Sequence, residues 1–197
     1  MRVGVVGVQG DVSEHVDAMA RALRDFAGEG EAVAVRRRED LDRVDALTIP
    51  GGESTTISKL LVKLDMFDEI VRRANEEGMP IMGTCAGCIL LAKEAGAQAE
   101  RTRTRLLGLM DMAVDRNAFG RQRESFEADL NVEGLDGPFH GVFIRAPAIL
   151  RTWGACRPLA RHADKIVLAR QGSFIGSAFH PELGGDLRIH RWFVDLL

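Results

Sequence analysis

The residues whose types and spacing can do chemistry are Cys85, His180 and Glu182. Cys85 is the centre of Gly83-Thr84-Cys85-Ala86-Gly87, between an apolar strand pattern and a helical one. That is the setting of a nucleophile elbow, a tight turn that needs small neighbours and lifts the reactive side chain above the strand ends. A helix starting just after the thiol presents free backbone N–H groups, which favour the thiolate. The N–H of Ala86 is placed to hold an oxyanion. The pentapeptide alone leaves a buried structural cysteine equally open, because cysteine is among the most buried residue types. His180-Pro181-Glu182 decides the matter. Histidine takes and returns a proton near neutral pH. A carboxylate two residues on, across a stiff proline, can fix its tautomer and orientation. Together the two segments read as a catalytic Cys–His–Glu set.

Cys85-Ala86-Gly87-Cys88 also spells Cys-x-x-Cys, the pattern of a redox dithiol or of half a zinc site. The second pair that a structural zinc needs is missing from the sequence, and the elbow with His-Pro-Glu accounts better for the first cysteine. Cys88 is expected as a small core residue on the first helical turn. A Cys85–Cys88 bridge that inactivates the protein under oxidation is the redox reading that stays open.

The elements that must position these residues follow from periodicity. Residues 2–8 read as a buried strand, and Val12, Val16, Met19, Leu23 and Phe26 as the apolar face of a helix ended by Gly28 and Gly30. Ala32 to Val35 and Ala46 to Ile49 are further strands, the latter stopped by Pro50-Gly51-Gly52. Ser54 or Thr55 is expected to cap the next helix. That helix carries Ile57, Leu60, Leu61 and Leu64, and a second piece carries Ile70, Val71 and Ala74. Pro80 to Gly83 leads into the elbow, and Ile89 to Ala95 is read as helix. Strands are expected at Met110 to Val114, Ser125 to Val132, Val142 to Arg145, Ile166 to Arg170 and Ser173 to Phe179, before a closing helix with Ile189, Trp192, Phe193 and Leu196 inward. Alternating strands and helices predict a mostly parallel sheet covered on both faces, with antiparallel additions in the second half. One domain over 1–197 is the expectation.

Composition narrows the function classes. The 197 residues are 46% hydrophobic and 28% charged, with net charge -3, so no basic surface argues for nucleic acid or an anionic membrane. The runs at Arg36-Arg37-Arg38 and Arg101 to Arg105 read as solvated surface. No apolar stretch approaches the ~20 residues that span a bilayer, and the N-terminus lacks a signal-peptide pattern. Three cysteines argue against a disulfide framework and for a reducing cytoplasm.

With these residues in place the sequence resembles the class I, or triad, glutamine amidotransferases. Further segments bring it to the PdxT/SNO family, the glutaminase family of pyridoxal 5'-phosphate synthase. They are Val8-Gln9-Gly10 with Glu14-His15, Pro50 to Thr56, Arg116-Asn117-Ala118-Phe119-Gly120-Arg121-Gln122, Ser125 to Leu130 and Gly141 to Pro147. The resemblance implies a flavodoxin-like α/β fold, a three-layer sandwich, and a triad of Cys85, His180 and Glu182. It implies glutamine contacts from Gly52, Glu53, Ser54, Arg116, Ile144 and Arg145, and an oxyanion hole from Gly51, Gly52 and Ala86. It calls for no metal and no organic cofactor. Its partners would be L-glutamine and a (β/α)8-barrel synthase subunit that receives the ammonia, with Gln9 helping docking and the oxyanion hole. Arg116 is open to a direct carboxylate contact or an indirect role. A glutaminase feeding another pathway, such as histidine biosynthesis, and a non-catalytic partner-binding subunit are the rivals. The segments at Arg116 to Gln122 and Ser125 to Leu130 argue against the first and the intact triad against the second. Cys88 stands where relatives carry an apolar residue.

Overall fold

The computed structural model describes residues 1–116 and 125–197. The segment Asn117 to Gln122, part of the resemblance, lies outside them.

Strand β1 (Arg2–Val6) leads to helix α1 (Val12–Ala22), a π-helical turn Leu23–Ala27 and β2 (Glu31–Val35). Then come α2 (Arg38–Leu41), β3 (Ala46–Ile49), α3 (Ser54–Lys63), α4 (Phe67–Glu76), β4 (Ile81–Thr84) and α5 (Ala86–Leu91). The second half holds β5 (Ala92–Glu94), α6 (Gly96–Thr102), β6 (Met110–Asp115), β7 (Ser125–Leu130), β8 (Phe139–Ile144), β9 (Ala148–Thr152), β10 (Arg157–His162), β11 (Lys165–Gln171) and β12 (Phe174–Ser177). A 3-10 turn Pro181–Leu183 and α7 (Arg188–Val194) close the chain.

The main sheet has the order β2-β1-β3-β4-β12-β11-β9-β6-β5, with β10 paired to β11. From β2 to β12 every pairing is parallel. With β12 in fifth place this is the 2-1-3-4-5 order of flavodoxin-like sheets. The pairings of β11 with β12, β9 and β10, and of β9 with β6, are antiparallel, as the sequence predicts for this half. β7 and β8 form a separate antiparallel hairpin.

Strand residues alternate between two cores, because successive side chains point to opposite faces. Leu47, Ile49 and Ile81 pack with α3, α4 and α5 on one face. Ala46, Met82 and Ile175 pack with α1, α7 and the β7–β8 hairpin on the other. The three layers follow from that alternation.

Several local expectations are corrected. Helix α5 stops at Leu91, and Ala92–Glu94 is a strand paired to β6 rather than the end of a helix. The first strand ends at Val6. The buried stripe of α1 is His15, Ala18, Met19 and Ala22, so the apolar face is rotated and places a histidine in the core. The π-helical turn breaks the 3.6-residue phase, which leaves Phe26 40% exposed. The strands β9 and β10 have no counterpart in the sequence reading.

Candidate active site

The parallel strands all end on one side of the sheet, where crevices form in open α/β sheets. Beyond β1 come Gln9 and Asp11, beyond β3 come Gly51, Gly52 and Glu53, beyond β4 comes Cys85, and beyond β12 comes His180. These residues, with Ile144 and Arg145 at the end of β8, line one cleft of about 440 Å³.

Cys85 sits in a strained backbone, with φ 49° and ψ -98°, between β4 and α5. Only a residue held from both sides keeps such a conformation, which costs about 1–3 kcal/mol. Its N–H donates to the Ser177 carbonyl at 2.7 Å, and its own carbonyl accepts from the Ile89 N–H. The glycines of the elbow are sterically required. A Cβ on Gly83 would come 2.6 Å from the Gly87 backbone, and one on Gly87 would come 2.1 Å from the Ile49 carbonyl oxygen. Ala86 opens α5, so its N–H is one of the donors a helix leaves without an internal acceptor.

Register explains how residues 95 positions apart in sequence meet. β4 and β12 are adjacent and parallel, with Thr84 opposite Ser177. Cys85 and His180 therefore leave neighbouring strand ends. The His180 N–H donates to the Val142 carbonyl at 2.8 Å, which fixes it to β8. Its Nδ1 is 2.5 Å from Glu182 Oε1 and 3.1 Å from Asp11 Oδ2. Its Nε2 is buried without a hydrogen-bond partner among the described residues. The Cys85 sulfur is nevertheless close enough to favour the imidazolium. Cys85 is 8%, His180 5% and Glu182 7% exposed, so the set is shielded yet opens to the cleft.

The electrostatics are those of a charged cluster in a dry place. Burial alone would lower the His180 pKa. The hydrogen bond to Asp11, the Cys85 sulfur and Glu182 outweigh it and push the value up to about 12. Burial pushes Glu182 up to about 7, against the pull of His180. Asp11 is held well below the usual carboxylate range: burial opposes this, and the bonds to His180 and Glu182 prevail. Behind Glu182 lies His15, whose Nε2 is 3.4 Å from Glu182 Oε1. Burial drives His15 down to about 4, so it is neutral at pH 7.

The second side of the cleft is the loop after β3. Gly52 has φ 146°, which only glycine adopts at ease, and it lies against the Gln9 amide. Gln9 Oε1 accepts the Glu53 N–H at 2.9 Å. The cap of α3 is Glu53, not Ser54 or Thr55: its carboxylate accepts the N–H groups of Thr55 at 3.0 Å and Thr56 at 2.7 Å. Ser54 is buried and is absent from the cleft lining. Arg116 is also absent from that lining. Its guanidinium reaches Glu53 at 2.7 Å and the Thr55 hydroxyl at 3.2 Å, so its position suits the indirect role. Arg145 lines the cleft with φ 43°, a second strained residue, and the Ile144 carbonyl lies 4.0 Å from the Cys85 sulfur.

The sequence-expected residues Gly51, Gly52, Glu53, Cys85, Ile144, Arg145 and His180 thus share the cleft, with Glu182 directly behind His180. The sequence assigns no role to Asp11, and it singles out His15 only within the Glu14-His15 segment of the resemblance. Cys88 is fully buried on α5, where burial pushes its thiol above the ordinary range, and it has the expected core position. Asp11, His180 and Glu182 each offer a ligand atom within 4.8 Å of the others. Their short contacts to the imidazole already account for that geometry.

The arrangement can form a thioester: a thiol nucleophile, an imidazole, a carboxylate behind it and backbone N–H groups at the mouth. Comparison with known proteins places it. The model of the SNO glutamine amidotransferase family matches residues 5–197. Two curated relatives bear the name pyridoxal 5'-phosphate synthase subunit PdxT. That of Archaeoglobus fulgidus is 56% identical, covering 100% of this chain and 98% of its own. That of Methanosarcina barkeri is 51% identical, covering 99% and 97%. A crystal structure described as a glutamine amidotransferase superposes with a TM-score of 0.88 at 49% identity, covering 98% of this chain and 97% of that one. With the family model matched over nearly its whole length and half its residues shared with these relatives, the chain belongs to the SNO glutamine amidotransferase family.

Proposed function

We propose that the chain is the glutaminase subunit of a pyridoxal 5'-phosphate synthase, hydrolysing L-glutamine to L-glutamate and ammonia. The observation that carries this reading is the thiol of Cys85 on a strained elbow, facing an imidazole backed by Glu182, in a cleft of amino-acid size.

The Cys85 thiolate attacks the side-chain amide carbon of glutamine, and the C–S bond forms as the carbonyl becomes an oxyanion. Backbone N–H groups of Ala86 and of the Gly51-Gly52 loop hold that oxyanion. His180, kept protonated by the acidic side chains beside it, gives its Nε2 proton to the leaving nitrogen, and ammonia departs. A water then attacks the thioester while His180 takes its proton, and glutamate leaves with Cys85 restored. Glu53 and Arg145 bind the two charged ends of the amino acid, with Arg116 steadying Glu53. Ser54 serves through α3 rather than by direct contact. No metal or cofactor enters any step.

The ammonia is delivered to a (β/α)8-barrel synthase subunit, and the whole chain, 1–197, acts as one glutaminase domain. Gln9, on the cleft rim and bonded to Glu53, links that docking to the oxyanion loop. Three free cysteines suit a reducing cytoplasm. Among the described residues no helix is long and apolar enough to cross a membrane. The test is to mix the purified chain with the barrel subunit, glutamine, a pentose phosphate and a triose phosphate. Pyridoxal 5'-phosphate should form. Ammonia release without that product would point to a glutaminase serving another synthase.

A further inference from the structure

Asp11 touches the imidazole of His180 but has no role in a mechanism of cysteine, histidine and glutamate. It is the N-cap residue of α1, yet its side chain makes no capping hydrogen bond. Its Oδ2 is instead 3.1 Å from His180 Nδ1, the same nitrogen that Glu182 Oε1 approaches at 2.5 Å. Nδ1 carries one hydrogen, so it cannot give a full bond to each carboxylate.

Two carboxylates at one site do not both ionise without compensating charge. The groups that face this pair are His180 itself, His15 from α1 beside Glu182, Cys85 beyond the imidazole and Glu14 near His15. His15 is buried and neutral, so it adds no positive charge at pH 7. The imidazolium of His180 offsets only one of the two negative charges, which favours one proton on the pair of acids. The side chain of Glu182 is 0% exposed and that of Asp11 23%. Desolvation penalises charge more at the deeper site, so the proton belongs to Glu182 and the charge to Asp11.

We propose that Asp11 is a positioning residue for the proposed reaction: the ionised carboxylate that holds His180 as imidazolium, while neutral Glu182 fixes the ring. In this arrangement Glu182 accepts the Nδ1–H on Oε1 and is kept protonated by burial and by the charge on neighbouring Asp11. The acid that a Cys–His–Glu reading takes as the charged member is then the neutral one. This deepens the glutaminase reading and rests on it for the kinetic consequence, though not for the ionisation itself.

Two measurements separate these. The first is a nitrogen-15 NMR titration of the histidine rings in the full chain, with His180 assigned by its loss in His180→Asn. Asp11→Asn, an isosteric change, should lower the pH at which His180 gives up its proton by at least about one unit, the scale expected for losing an adjacent opposite charge. Glu182→Gln should lower it less, because a glutamine amide also accepts on oxygen and donates from nitrogen. Asp11→Ser serves if Asp11→Asn does not fold. An unchanged midpoint in the Asp11 variant, or a larger shift in Glu182→Gln, overturns the proposal. The second is ammonia release with the barrel subunit present. Asp11→Asn should lose at least about tenfold in kcat/KM and more than Glu182→Gln does, with its alkaline limb moved to lower pH. The reverse order overturns the proposal. A wild-type chain that releases no ammonia would defeat the glutaminase reading, while the titration still decides the ionisation.

Discussion

At the scale of residues, the site depends on atoms that are absent as much as on those present. A Cβ on Gly51 would come 2.5 Å from the His180 ring and 3.1 Å from an Asp11 oxygen. Gly51→Ala must push the imidazole out of line, and misplacement by about 1 Å commonly costs about 10²-fold in rate. Steady-state kinetics should show that loss in kcat with the fold intact by circular dichroism. A near-wild-type kcat would mean that the ring does not need its present position. The chemistry at this scale was partly legible in the sequence. Gly83, Cys85 and Gly87 are a local pattern in the sequence, although the contact that requires Gly87 is with Ile49 of β3 rather than within the turn. The contact of Asp11 with His180 spans 169 positions and follows no local pattern. Only the parallel register of β1, β3, β4 and β12 brings those strand ends together.

At the scale of elements, the cleft loop after β3 and the start of helix α3 share one side chain. Glu53 accepts two backbone N–H groups and the Thr56 hydroxyl, and it pairs with Arg116. These bonds overcome the desolvation that opposes them and hold its carboxyl at about 2. Glu53→Ala should lower stability by about 1 kcal/mol, as lost caps do, and raise KM for glutamine. Urea unfolding and initial-rate kinetics measure the two. A stability loss with unchanged KM would confine Glu53 to capping. The sequence suggested serine or threonine for this cap, since both are common there. The chain turns one residue earlier, and the longer glutamate side chain reaches back over the first turn. The strands β9 and β10 are not legible in the sequence for a different reason. β9 shows two buried residues and then exposed ones, and β10 is interrupted by register shifts, so neither displays a clean alternation.

At the scale of the whole molecule, the layer holding α1 and α7 carries two buried histidines, His15 and His190. Burial lowers their values to about 4 and about 3. Both are neutral in the fold, while an unfolded chain binds protons near pH 6.5. Their contribution is therefore full above about pH 6.5 and is lost as pH falls towards the folded values. Glu182 has the opposite sign, since its raised value favours the fold as pH falls from about 7 to 4.5. The two histidines outnumber it, so the melting temperature should fall between pH 6.5 and 4. His190→Leu removes one of them and should make that fall shallower. A melting profile parallel to wild type would show that His190 does not set it.

The fold, the cleft and the family all converge on one thiol, and ammonia release from L-glutamine tests it directly. The full chain, assayed with the barrel subunit, should liberate ammonia and glutamate in equal amounts. Cys85→Ala should reduce the rate by several orders of magnitude, as loss of a triad nucleophile does, while still binding the barrel. Unimpaired ammonia release by Cys85→Ala would contradict the account at its centre.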